Sequence, residues 1–124
     1  MKPSSLELRP FERADFPRLI SWVPDARFLL QWAGPGYTFP LDEAQLEANQ
    51  CQSESDPPAR YIFKAVLARS GDAIGHIELS PRPSCRGRLG RVLVGEAWRG
   101  RGHGLRVVRL ACEFGFATLG LREV

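Results

Sequence analysis

Apolar and polar residues alternate at Leu6-Glu7-Leu8-Arg9, which predicts a short first strand. The period then changes. Phe16, Leu19, Ile20 and Val23 recur at i, i+3, i+4 and i+7, one face of a helix. Asp15 stands where a cap belongs, Pro17 suits a first turn whose N–H groups lack partners, and Pro24 ends the run. Phe28, Leu29, Leu30 and Trp32 predict a short helix within residues 25–33. Gly34-Pro35-Gly36 and Pro40 mark a loop. Asp42 and Gln45 have capping-box spacing and open a polar helix to about Gln50, followed by turn-forming residues from Ser53 to Pro58.

Period-two segments return in the second half. Tyr61 to Ala68 is rich in aromatic and aliphatic residues, and Arg69-Ser70-Gly71-Asp72 closes a hairpin. Ala73 to Ser80 is the return strand, with Ile74, His76 and Glu78 on one face and Gly75, Ile77 and Leu79 on the other. Pro81 to Gly87 reads as a loop, and Arg88 to Val94 as a strand ending in an apolar run. Leu105 to Leu119 reads as a helix whose polar residues, Arg106, Arg109 and Glu113, share one stripe. The rest of it is apolar, so a mostly buried helix is expected, stopped by Gly120. Leu121 to Val124 looks like the start of another strand.

A length of 124 residues, 44% apolar and 25% charged, fits one domain over 1–124 and excludes collagen-like, wholly disordered and membrane-spanning chains. No apolar run approaches the ~18 residues of a membrane helix. Glu7 and Arg9 interrupt any signal-like stretch, so a cytoplasmic location is expected. Cys51, Cys85 and Cys112 are odd in number and widely spaced, which argues for free thiols. Neither His76 nor His103 stands at ligand spacing from a cysteine, so no metal is expected.

Charge is unevenly spread. The formal total is +3, yet residues 82–109 hold eight arginines against Glu96 alone. A field of that sign favours an anionic ligand. Within it, Val92-Leu93-Val94 runs into Gly95-Glu96-Ala97-Trp98-Arg99-Gly100-Arg101-Gly102-His103-Gly104 and then into a helix. Glycines let backbone approach a ligand closely, and the first N–H groups of a helix point outward at the positive end of its dipole. Together these describe a phosphate cradle. It is not a Walker loop, because Arg101 and Gly102 occupy the Lys and Ser/Thr positions after Gly95 and Gly100. Nor is it a dinucleotide fingerprint: Gly102 and Gly104 are followed by Val107 where a third Gly or Ala is needed. An RGG-type RNA segment is usually repetitive and disordered; the single copy here lies between an apolar strand and an apolar helix, so no nucleic-acid partner is expected.

Arg99-x-x-Gly102-x-Gly104 after a strand ending at Val94 resembles the [Q/R]-x-x-G-x-[G/A] loop of the GNAT (Gcn5-related) N-acetyltransferases. The element order along the whole chain is similar to that of the family. Trp32-Ala33-Gly34-Pro35 to Phe39-Pro40-Leu41, with Ile74-Gly75-His76-Ile77-Glu78-Leu79, looks like a bacterial subgroup related to ribosomal-protein acetyltransferases. The resemblance implies an α+β GNAT fold: a mostly antiparallel, mixed sheet flanked by helices, lacking the C-terminal strands. It implies acetyl-CoA as cofactor. Val92, Leu93 and Val94 would pair with the pantetheine arm, with a strand bulge offering an N–H to the thioester carbonyl. Backbone N–H groups of Gly100, Arg101, Gly102, His103, Gly104 and Leu105 would hold the pyrophosphate, and Arg99 would add a cation. Because backbone does that work, His103 is expected to be a solvent-exposed spacer, and Trp98 a packing anchor.

The implied chemistry is acetyl transfer to a primary amine of a small molecule or a protein N-terminus. Glu78 is the candidate base; the competing reading is a solvated strand residue or an arginine partner. Tyr37 and Tyr61 do not match the family's acid position. Trp32, Tyr37 and Phe39 would line the acceptor side or serve packing. The alternative function is a catalytically incompetent chain that only binds CoA or self-associates. An open sheet edge suggests a homodimer or larger assembly.

Overall fold

In the computed structural model, which describes residues 5–124, the period-two segments pair into one sheet. Its strands are β1 (Leu6–Pro10), β2 (Tyr61–Leu67), β3 (Ala73–Arg82) and β4 (Arg86–Val94), in that spatial order and antiparallel throughout. One isolated parallel bridge, Arg86 to Glu123, adds the mixed character. Leu121 to Val124 contributes that bridge rather than a strand, held by the N–H of Arg122 on Cys85 O and the N–H of Gly87 on Glu123 O. The close approach explains Gly87, where a Cβ would stand 2.7 Å from Leu121 Cδ1.

Four α-helices cover the sheet: α1 (Phe16–Ser21), α2 (Ala26–Ala33), α3 (Glu43–Gln50) and α4 (His103–Glu113). Residues from α1 to α3, among them Leu19, Leu29 and Leu46, share one core cluster with Ile62 and Leu93. On the other face Val107 and Ala111 of α4 meet Phe63, Ala65 and Ile77. Burying each of the larger of these side chains is worth roughly 1.5–3 kcal/mol. Because both faces are covered, β3 is buried continuously from Ile74 to Leu79. Its alternation sends His76 towards Phe11 and Trp32, with ring centroids 4.8 and 5.7 Å away. Glu78 is therefore not a solvated strand residue; it is 3% exposed.

Several local expectations change. Asp15 does not cap α1 with its side chain; it belongs to a preceding 3-10 turn, Arg13–Asp15, and turns inward. There its carboxylate accepts from the N–H of Glu12, from Arg18 and from Lys64. Asp25 is the working cap, with Oδ1 accepting the Phe28 N–H at 2.8 Å. Asp42 caps α3 at 3.0 Å from the Gln45 N–H. The Gln45 amide does not close the box; it bonds Thr38 N–H, Thr38 O and Pro40 O and so pins the preceding loop. The expected loop at Pro81 to Gly87 is a tight hairpin, because β3 runs on to Arg82 and β4 begins at Arg86. Ser84 and Cys85 take positive φ there (65° and 57°). The last helix is not mostly buried: Leu105 and Phe116 are 61% and 47% exposed, and α4 gives way to a π turn at Phe114–Thr118. It does stop at Gly120, whose φ is +68°.

Candidate functional site

The β3–β4 register fixes the site. Glu78 pairs with Gly90 and His76 with Leu93, so Arg91 and Val92 stand opposite Ile77 alone and β4 bulges. Arg91 sits at φ +48°, a conformation that costs a non-glycine residue roughly 1–3 kcal/mol. Three contacts hold it. Its Nη1 donates to Glu78 Oε1 at 3.1 Å and to Tyr37 Oη at 3.3 Å, and its guanidinium lies 4.3 Å from the Tyr37 ring centroid.

Glu78 is the hub. His76 Nε2 lies 2.8 Å from Oε2, Asn49 Nδ2 donates to the same oxygen at 3.3 Å, and Arg60 Nη1 stands 3.6 Å from Oε1. Arg60 also donates to Asn49 Oδ1. Burial pushes the Glu78 carboxyl up, but the His76 hydrogen bond and the charges of His76, Arg91 and Arg60 outweigh it and hold the pKa below the usual 4.5. The neighbouring Tyr37 phenol is pushed up to about 12 by burial and by the Glu78 charge, so it keeps its proton at neutral pH.

Past β4, the Gly95 N–H donates to Ile74 O at 2.8 Å, and a short 3-10 turn spans Glu96–Trp98. Gly100 and Gly102 then take φ of +78° and +79°, which non-glycine residues adopt only at a cost. Among the described residues, no N–H from Gly100 to Leu105 donates to a backbone carbonyl; the first to do so is Arg106, at 3.4 Å from Gly102 O. Arg99, expected to add a cation, also makes contacts within the fold. Its Nε donates to Val94 O at 2.8 Å and its guanidinium lies 5.4 Å from the Phe28 ring, so it ties the loop to the strand end. Trp98 packs against the α4-side core, with Arg101 over its ring at 5.9 Å. His103 is not a solvent-exposed spacer. As the first residue of α4 its ring turns inward, 6% exposed, with Nδ1 unpartnered. Burial, then the charges of Arg106 and Arg101, lower its pKa below 6.5.

Two hollows meet at Trp32. One, about 330 Å³, runs along Phe28, Val92, Leu93, Val94 and Arg99. The other, about 350 Å³, is lined by Arg60, Glu78, Arg82, Arg88 and Arg91. Trp32 is a wall of both, Tyr37 touches the second through Arg91, and Phe39 lines neither. The loop's N–H groups and nearby arginines suit a pyrophosphate, and the apolar groove along β4 suits a pantetheine arm. Alternation brought His76 and Glu78 to one face as read. Arg91, Arg60, Asn49 and Phe28 were not legible: the bulge that aims Arg91 depends on strand register, and the others arrive from distant elements.

The description "Acetyltransferase (GNAT) domain" is that of the family model matching residues 5–124. The fold is similar to spermidine N-acetyltransferase from Vibrio cholerae in complex with CoA and spermine, at 19% identity and TM-score 0.74, covering 94% of this chain and 66% of that one. A dodecameric structure of the V. cholerae enzyme matches at TM-score 0.67 and 19% identity, over 94% and 65% of the two chains. Ribosomal-protein-S5-alanine acetyltransferase from Vibrio fischeri matches at TM-score 0.72 and 16% identity, over 98% and 69%. The chain thus spans about two thirds of the length of these proteins.

Proposed function

Since the chain belongs to the GNAT acetyltransferase family, we propose that it transfers an acetyl group from acetyl-CoA to a primary amine. The observation that carries this reading is the run of unpartnered N–H groups from Gly100 to Leu105, beside an apolar groove at the end of β4. Val92, Leu93 and Val94 would hold the pantetheine arm. The N–H groups of Gly100, Arg101, Gly102, His103, Gly104 and Leu105 would hold the pyrophosphate. Arg99 would serve by fixing the loop on Val94 O as well as by its charge. The bound thioester supplies an activated acetyl carbon.

On the far side of Trp32, the acceptor amine would approach Glu78 and Arg91. Glu78 is the proposed base. Its depressed pKa keeps it in the basic form but makes proton transfer to it uphill, so the proton must pass onward to water in the cavity. Glu78 would take the first proton from the ammonium; as the nitrogen bonded to the acetyl carbon and the C–S bond broke, the nitrogen would lose a second proton to water and the departing thiolate would gain one from water.

Titration calorimetry with acetyl-CoA tests the assignment, followed by turnover with amines and peptides. Tight binding to the wild-type chain that is lost in Gly102→Glu is the expected result, because the variant adds strain and negative charge to the cradle. No binding by the wild type would remove the reading. The candidate base, already bonded by His76, Asn49 and Arg91 and with a lowered pKa, favours a second reading, a chain that binds CoA or self-associates without turnover. Binding without turnover would select it. Among the described residues β4 is an edge strand, bridged only at Arg86, and we propose a homodimer or larger assembly. A monomer by sedimentation at high concentration would overturn that.

A further inference from the structure

The hollow beyond Trp32 is cationic, and from it we infer that the acceptor is an amine carrying an oxyanion, a carboxylate or phosphate, on the same molecule. This inference rests on the transferase reading above. Four guanidiniums line the hollow, those of Arg60, Arg82, Arg88 and Arg91, against one carboxylate, Glu78. Two are already matched: Arg91 and Arg60 face Glu78 at 3.1 and 3.6 Å. The other two are not. Arg82 and Arg88 are exposed and form no ion pair among the described residues.

Register places this unmatched pair. Ser80 is opposite Arg88 and Arg82 is opposite Arg86, so Arg82 and Arg88 are diagonal neighbours on the face that carries Glu78 and Gly90. Glu123, the acid near this turn, is bonded to Arg86 at 2.8 Å. Two adjacent guanidiniums repel each other, and an oxyanion between them relieves the repulsion with forked hydrogen bonds that match its geometry. Gly90 has no atom within 4 Å of where its Cβ would lie, which leaves the floor of the hollow open. A substrate then lies with its amine towards Trp32 and Glu78 and its oxyanion towards the β3–β4 turn. A polyamine fits poorly, because its further ammonium groups would meet Arg82 and Arg88 with no unmatched carboxylate beside them.

Calorimetry of the full chain with O-phosphoethanolamine, glutamate, spermidine and inorganic phosphate, each with and without CoA, tests this. The two anionic amines bind better than spermidine, and rising salt weakens them. Arg82→Glu or Arg88→Glu weakens each about tenfold or more, while spermidine gains. Arg82→Gln and Arg88→Gln give a smaller loss, with circular dichroism showing that all variants fold. Comparing phosphoethanolamine with glutamate separates phosphate from carboxylate recognition. Tighter binding of spermidine than of both anionic amines, or charge reversals without effect on them, overturns the inference. So does inorganic phosphate binding as tightly as phosphoethanolamine, since the amine then plays no part. If the anionic amines bind as expected but acetyl-CoA neither binds nor is consumed, the cationic site stands and the transferase reading falls.

Discussion

Glu78 and Asp15 are buried carboxylates whose cations come from other elements. Asp15 is 4% exposed; burial pushes its pKa up, but hydrogen bonds from Arg18, Glu12 N–H and Lys64 bring it below 3.8. Both groups have depressed pKa values in the folded state. Their contribution is therefore complete above the unfolded carboxylate range and is lost as pH falls through and below it. Urea melts at descending pH should show stability falling below about pH 4.5, the ordinary glutamate value. Asp15→Asn should flatten that fall and cost about 1–3 kcal/mol at neutral pH. Glu78→Gln leaves Arg91 and Arg60 facing a neutral amide and should cost about 3 kcal/mol. If Glu78 takes the amine proton, kcat at neutral pH also drops more than KM changes, and part of it returns as pH rises and free amine accumulates. An unchanged kcat would restrict Glu78 to positioning Arg91. At this scale the sequence was informative where strand alternation decides direction, as for His76 and Glu78. It misled at His103, because a glycine loop's last residue can also be a helix's first, with its side chain turned to the core.

Among the elements, the join between β4 and α4 is tightly constrained. A Cβ on Gly95 would stand 2.9 Å from Trp22 Cζ2. Trp22 packs on the helical core, so its ring cannot step aside freely. Gly95→Ala should lower stability by about 1–3 kcal/mol and weaken acetyl-CoA, since the loop starts there. Gly90→Ala is the contrast. Its Cβ has open space, so the fold should hold or gain slightly, while KM for the acceptor rises as the hollow fills. Thermal melts and initial rates on the two variants separate these effects. Element order and most boundaries were legible because periodicity and caps are local. The hairpin at Ser84 and Cys85 was not, because nothing in two prolines and a cysteine announces consecutive positive φ values. The exposure of α4 was missed for a different reason: an apolar stripe shows what can be buried, not what has something to be buried against.

For the whole molecule, five of the eight arginines of residues 82–109 divide between two places. Arg99 and Arg101 flank the glycine loop, whereas Arg82, Arg88 and Arg91 line the hollow beyond Trp32. Sequence alone located the excess around the glycine loop; in the fold part of it stands at a second hollow, where the proposed acceptor would bind. Acetyl-CoA affinity and acceptor KM should therefore both weaken as ionic strength rises, and a salt series with each ligand separately checks that both do.

Trp32 lines both the groove along β4 and the hollow beyond it, and its buried indole N–H has no partner among the described residues. A shift of this ring on one side alters the lining of the other. With acetyl-CoA and the acceptor in the two hollows as proposed, that shared ring would couple their binding. Whatever factor acetyl-CoA then imposes on acceptor affinity, the acceptor must impose on acetyl-CoA, and Trp32 emission in a chain carrying Trp22→Phe and Trp98→Phe should report the change from either side.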